Sequence, residues 1–410
     1  MKRSPRNVKL YLVSTIFRAA STGAWSLLLN LYLDSLGLSV AFIGLTNTLF
    51  TAFSVVCSIP AGLIADRIGR KRAMVIGLTG IALSRLGVAV FSKGWLIAAS
   101  STLFGIVGPL FFTSVPPFLT ENSRPRDRAM LFTVDASLMN LASFVATTGG
   151  GYLPRLLGAI LGVGPESAPA YRGAMLAAAG GMAAGLVPVL ALHGRQSPAF
   201  PRRAARLLPR TWPRFSDPRL MARILIPRLL NGFGAGLVFP FLNLFYKQQF
   251  GVSDAALGWI LGVTSVTVAL MQLVGGAIAE RQGKIRATLV ARAVATPMML
   301  IMGFVPSLPL VAAANWVRSG LMRLGGPLYM AFVMEQLDES ERATGSSLMA
   351  MTWDLGWSTA PYVSGLVQVQ WGFGPLFVAT TALYGLSVVC VYRFFGRRAR
   401  IKPRLQRIGK

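Results

Sequence analysis

Long apolar runs recur from one end of this chain to the other, and they constrain the fold more than any other feature. A helix that crosses a bilayer needs roughly 20 predominantly apolar residues. Twelve stretches read as such spans: 10–35, 40–65, 73–91, 95–119, 130–155, 171–192, 222–247, 254–279, 288–305, 309–334, 344–370 and 375–394. Backbone groups find no water in hydrocarbon, so each run is expected to form a helix that satisfies them internally. Pro109, Pro116 and Pro117 interrupt the fourth run, and neighbouring helices tolerate such breaks. Met1-Lys2-Arg3 before an apolar run has the outline of a signal peptide. Arg18 interrupts that run, no small-residue cleavage site follows and eleven more spans come after it, so an uncleaved first helix is expected.

Composition agrees. Only 13% of the 410 residues are charged, about half the share of an average soluble domain, which leaves too few charges to cover a soluble enzyme or scaffold. Two Cys and one His exclude a disulfide framework and a Cys/His zinc set, so no metal and no cofactor are expected. The 41 Lys and Arg against 14 Asp and Glu give a net charge of +27, which suits either nucleic acid or a membrane protein with its basic residues on one side. Their placement decides. Basic residues crowd the N-terminal tail, the loops after spans two, four and eight, the segment 193–223 and the C-terminal tail. The opposite side has little beyond Lys93 and Arg172, with Arg155 and Lys247 near span ends. This asymmetry places both termini in the cytoplasm, as expected of a multi-pass protein of a bacterial plasma membrane. Aromatic residues do not interleave with the charges as a stacking platform requires, so no nucleic-acid partner is expected.

The chain also repeats itself at an offset of 214 residues. Residues 62–72 align with residues 276–286, with six of eleven positions identical: Gly62, Ile64, Ala65, Arg67, Gly69 and Arg72 against Gly276, Ile278, Ala279, Arg281, Gly283 and Arg286. Asp66 meets Glu280 and Arg70 meets Lys284. The same offset pairs Gly37 with Gly251 and Glu121 with Glu335. Two similar six-span halves follow: 1–192, a Pro/Arg-rich cytoplasmic linker over 193–222, and 223–410 with a basic tail. Parallel repeats of this kind point to a transporter with its site near the midplane.

The loop Gly62-x-x-x-Asp66-Arg67-x-Gly69-Arg70-Lys71-Arg72, with its second copy around Glu280, Arg281, Gly283 and Lys284, resembles the signature loop of the major facilitator superfamily. The resemblance covers the whole chain. It implies an all-α membrane fold of twelve transmembrane helices in two six-helix bundles, which rock about a central cavity. It further implies that Asp66 approaches the start of the eleventh span near Thr344 and Gly345, where a helix N-terminus favours an anion. Arg70 is expected to pair with Glu121, with Glu280, Lys284 and Glu335 as the second-half counterparts, and the set is expected to latch the cytoplasmic faces. Gly62 and Gly69 are expected to permit close packing and a tight turn.

Charges inside spans are costly and are read as functional by default. Arg18, Arg85, Asp135, Arg228, Arg292, Arg318, Arg323 and Asp354 are of this kind, with Asp34 near a span end. Pairing makes buried charge tolerable, so Arg18 is expected to pair with Asp135, and Asp354 with Arg228 or Arg323. A carboxylate so placed can exchange a proton as its surroundings alternate between wet and dry. Asp354 ranks first for that role, then Asp135, then Asp34. Asn30, Asn140, Asn231 and Asn243 are candidates to line the cavity or to bond between helices. Trp353 and Trp357, one turn apart, are candidates for an aromatic wall.

The sequence departs from the family's proton-coupled drug exporters. Span four reads Phe104-Gly105-Ile106-Val107-Gly108-Pro109 without their Arg, and span five has Gly149-Gly150-Gly151 with Pro154 instead of their antiporter pattern. The reading that results is a secondary active transporter, not an enzyme. It moves a small organic solute by alternating access, coupled to protons as an antiporter and in the direction of export, as a monomer in the lipid bilayer. A facilitator or symporter of a metabolite, a lipid translocator, and a non-transporting receptor are the alternatives. No Gly-Lys-Ser/Thr phosphate loop is present for an ATP-driven pump.

Overall fold

The fold was analysed on a computed structural model, which describes residues 5–124, 127–193, 216–338 and 341–399. Most of the expected linker and the C-terminal tail therefore lie outside the described residues. Those described are almost entirely helical. The order is α1 (Pro5–Ser35), α2 (Val40–Ile68), α3 (Arg70–Val90), α4 (Gly94–Asn122), α5 (Arg128–Gly150), α6 (Leu153–Leu161), α7 (Ala168–Leu190), α8 (Pro218–Val238), α9 (Leu242–Phe250), α10 (Asp254–Gln282), α11 (Lys284–Phe304), α12 (Leu308–Met334), α13 (Arg342–Trp371) and α14 (Gly374–Ala399). By length and composition, ten helical stretches among the described residues can cross a membrane. Two long helices outside that set, α12 and α13, carry Arg318, Arg323 and Asp354.

Two expected spans are divided. The seventh breaks into α8 and α9 at a single 3-10 turn, Phe239–Phe241. Pro240 sits in that turn, where its missing N–H and its ring oppose a continuous helix. The fifth ends at Gly150, and Pro154 opens the short helix α6, a first-turn position that suits proline.

The repeat extends to the backbone. Helices α2 and α10, and α3 and α11, begin and end at equivalent positions 214 residues apart. Gly69, between α2 and α3, has φ 90° and ψ 147°, and Gly283, between α10 and α11, has φ 84° and ψ 146°. Few residues other than glycine adopt that conformation. Gly37 and Gly251 likewise share positive φ, at 74° and 61°.

The described residues group into two compact units, 5–193 with 241–265, and 216–240 with 266–399. In the first, α1 packs on α5 and α7, and α3 on α4 and α7. In the second, α8 packs on α13 and α14, and α11 on α12 and α14, which is the same scheme. The first core gathers Tyr11, Met74, Leu78, Phe111 and Phe118; the second gathers Ile224, Tyr329, Val333, Met349 and Phe395. Large apolar side chains such as Val56, Leu83, Leu273 and Val369 are exposed. That is how helices facing lipid behave, since hydrocarbon gives them no reason to turn inward.

Candidate functional site

The α2–α3 turn carries charge in a fixed arrangement. Arg70 Nη2 lies 2.5 Å from the Asp66 carboxylate, and its Nε lies 3.9 Å from Glu121 at the end of α4. At the equivalent turn Lys284 pairs with Glu335. Both pairs expected from the repeat are formed, and each ties adjacent helices within its own unit. The copies differ in one arm, because Glu280 is exposed and forms no ion pair among the described residues. Arg67, Arg72 and Arg281 are exposed, and Lys71 is half-buried. Gly69 makes the turn, as expected, but Gly62 does not pack closely: it is helical, with no atom near enough to meet an added Cβ.

Arg18 and Asp135 are brought together, but not in the direct ion pair expected of them. Two hydroxyls stand between. Thr15 Oγ1 donates to Asp135 Oδ1 at 2.8 Å and accepts from Arg18 Nη2 at 3.0 Å. Tyr11 donates to Asp135 Oδ2 at 3.2 Å and accepts from the same Arg18 nitrogen at 3.4 Å. Ser14 accepts from Arg18 Nε at 3.3 Å, and the guanidinium lies 4.4 Å from the centre of the Phe111 ring. Every member of this set is buried. A hydroxyl is both donor and acceptor, so each link runs from cation to carboxylate without a gap. The sequence reading missed Tyr11, Ser14 and Thr15. Their signal was spacing: positions 11, 15 and 18 fall on one helix face.

Of the expected pairings of Asp354 with Arg228 or Arg323, neither forms a direct ion pair among the described residues, although the charges of Asp354 and Arg228 act on each other. Arg228 Nε donates to the Met349 carbonyl at 3.3 Å, and its guanidinium lies 5.0 Å from the Trp353 ring centre. Trp353 and Asp354 are consecutive, so about 100° of helix rotation separates them. Asp354, Arg323 and Asp34 are all exposed. Trp353 and Trp357 stack, with ring centres 6.3 Å apart and planes at 17°.

Three of the four asparagines bond between or along helices. Asn30 donates to Asn243 at 3.1 Å, and Asn243 donates to the Leu27 carbonyl at 2.8 Å. Asn231 donates to Ser387 at 2.6 Å and to the Pro227 carbonyl at 2.8 Å. Asn140 is half-buried on α5. A further cluster that the sequence reading did not assemble joins α7, α9 and α10. Lys247 pairs with Asp254 and with Glu166 at 2.8 Å, and Tyr171 donates to Asp254 at 2.8 Å. Among the described residues no group of three or more His, Cys, Asp or Glu side chains is placed to hold a metal.

The family model of the Major Facilitator Superfamily matches residues 10–227 and 224–409. An uncharacterized membrane protein of Saccharomyces cerevisiae is 23% identical over 323 residues, 71% of this chain and 72% of that protein. The multidrug resistance protein MdtH of Cronobacter sakazakii is 30% identical over 118 residues, 29% of each chain. Among solved structures, the nucleoside transporter NupG aligns with a TM-score of 0.74 at 16% identity, covering 95% of this chain and 99% of that one.

Proposed function

This chain belongs to the Major Facilitator Superfamily, and from that premise we propose that it is a secondary active transporter of a small organic solute, working by alternating access. The observation that carries the reading is the twice-built charged turn: Gly69 with Asp66, Arg70 and Glu121, and Gly283 with Lys284 and Glu335. A loop that served only to orient the chain in the membrane needs basic residues, but neither the carboxylates nor the glycines. On this reading the turns stiffen the ends of α2, α3, α4, α10, α11 and α12, so that two halves with cytoplasmic termini move as bodies. Asp66→Asn is expected to slow solute flux in reconstituted vesicles while the protein still inserts; unchanged flux would remove the turn from the mechanism.

Proton coupling rests on Asp135 in this proposal. It is a buried carboxylate within α5, and it is linked to Arg18 through two hydroxyls that can pass a proton. Asp354 moves to second place, because it is exposed and forms no direct ion pair with Arg228 or Arg323 among the described residues. Antiport in the direction of export draws support from the partial likeness to a protein named for multidrug resistance. Uncoupled facilitation or metabolite symport draws support from the missing Arg in span four. A pH-sensitive dye inside vesicles separates the two. Coupling predicts solute-driven proton movement that Asp135→Asn abolishes; solute flux without proton movement selects the facilitator.

A further inference from the structure

The membrane-spanning part of the second unit gathers positive charge among its described residues. Three of its helices each contribute an arginine: Arg228 from α8, Arg292 from α11 and Arg318 from α12. Arg292 and Arg318 are buried, and Arg228 is half-buried. Two tyrosines sit among them. The Arg292 guanidinium lies 5.0 Å from the Tyr329 ring centre, and the charges of Arg228 and Arg292 both act on that phenol. The charge of Arg318 acts on the Tyr384 phenol, and its guanidinium lies 3.4 Å from the Phe239 ring centre.

The compensation is incomplete. The exposed Asp354 attracts Arg228 without closing an ion pair with it, and Arg292 forms no ion pair among the described residues. Arg292 is 5% exposed, and its Nη1 is buried with no hydrogen-bond partner among the described residues. Aromatic faces attract a guanidinium, but a buried cation is costly until an anion and its hydrogen bonds complete it. Arg228 engages the protein through Nε and a ring face, which leaves its two terminal nitrogens as a fork suited to an oxyanion.

The surroundings of Arg228 are rigid. Gly232, one turn further along α8, lies so near α13 that a Cβ there would meet the Trp353 carbonyl oxygen at 2.5 Å. A Cβ on Gly356 would meet the Phe233 nitrogen at 2.5 Å. Backbones this close hold the guanidinium over Trp353, which stacks on Trp357, both rings only half-buried.

We propose that the second unit contains an anion site: Arg228, backed by Arg292, binds the oxyanion of a small organic solute whose flat apolar body lies on Trp353 and Trp357. The proposal rests on the transporter reading and gives it a substrate class. A transported cation would meet arginines here, whereas a carboxylate or phosphate monoester meets an unfilled fork and an aromatic face.

Thermal unfolding of the full chain, purified in nanodiscs, tests it with benzoate and phenyl phosphate against benzylammonium and benzyl alcohol. The expected result is stabilisation by one or both oxyanions and by neither control. Arg228→Gln should weaken the apparent affinity on the order of tenfold, the loss of one charge-assisted hydrogen bond, and Arg228→Lys should lose less. Failure of both oxyanions to stabilise, equal stabilisation by the controls, or full affinity in Arg228→Gln would overturn the site. If Arg228→Gln does not fold, Trp353→Leu takes its place: it should erase the preference for phenyl phosphate over inorganic phosphate, and an unchanged preference counts against the site. Vesicle flux keeps the two readings apart. Flux of benzylammonium without flux of either oxyanion leaves the transporter and removes the anion site. Oxyanion binding without any flux leaves the site and removes the transporter.

Discussion

At the scale of single residues, Gly69 and Gly62 separate conformation from packing. Gly69 has φ 90°, so alanine there is strained even though nothing crowds it. Gly69→Ala should cost about 1–3 kcal/mol in unfolding of the purified protein. Gly62→Ala, helical and uncrowded, should be neutral or slightly stabilising. Equal effects at both positions would contradict the assignment. Tyr11→Phe removes one of two hydroxyl links between Arg18 and Asp135 and should cost about 1 kcal/mol, whereas a phenol outside the network would be replaced freely. The sequence made Arg18 and Asp135 legible as partners, because two opposite charges in adjoining spans are hard to explain otherwise. Tyr11 and Thr15 were not legible, since a Tyr or Thr in an apolar run is ordinary filling until its helix face is compared with that of Arg18. Arg228 and Asp354 act on each other without a direct ion pair for a related reason: span depth can be counted along a sequence, but the direction a side chain takes around its helix depends on packing.

At the scale of elements, close approach decides which substitutions the helices accept. Gly232 touches the α13 backbone, so Gly232→Val must push α8 and α13 apart. The expected loss is about 1–3 kcal/mol, read as a lowered melting temperature, with Gly326→Ala, where space is open, as the silent control. The starts of α8 and α13 are clipped by a second device. Ser216 donates to Glu341 through its backbone N–H at 2.7 Å and its hydroxyl at 2.6 Å. Those bonds hold the Glu341 carboxyl below its ordinary value of 4.5. A depressed folded value means that the contribution is present above the ordinary value and fades as pH falls through the folded one. Ser216→Ala should therefore lower stability at neutral pH and lose that effect in acid; a pH-independent difference would assign the change to something else. Helix boundaries at the repeated turns were readable from the matched glycines. The break at Phe239–Phe241 was not, because a proline inside an apolar run is often tolerated and the sequence does not say which one divides its helix.

At the scale of the whole molecule, the repeat made the architecture legible: one offset aligns loops, glycines and paired charges, and the family match covers both halves. It did not foretell where the compact units divide. The segment 241–265 groups with the first unit, joined by Lys247, Asp254 and Tyr171, although its sequence position belongs to the second repeat. Those residues lie at span ends, where polar side chains are common, and nothing in their spacing links them. The central claim is that the charged turns serve transport and not orientation alone. The most direct measurement is the initial rate of solute flux in vesicles for the wild type, Lys284→Glu, Glu335→Lys and the double swap. The account predicts slow flux in each single reversal and recovery in the swap, which restores the ion pair with opposite polarity. Single reversals that transport like the wild type, or a swap no faster than its parents at equal insertion, would contradict it.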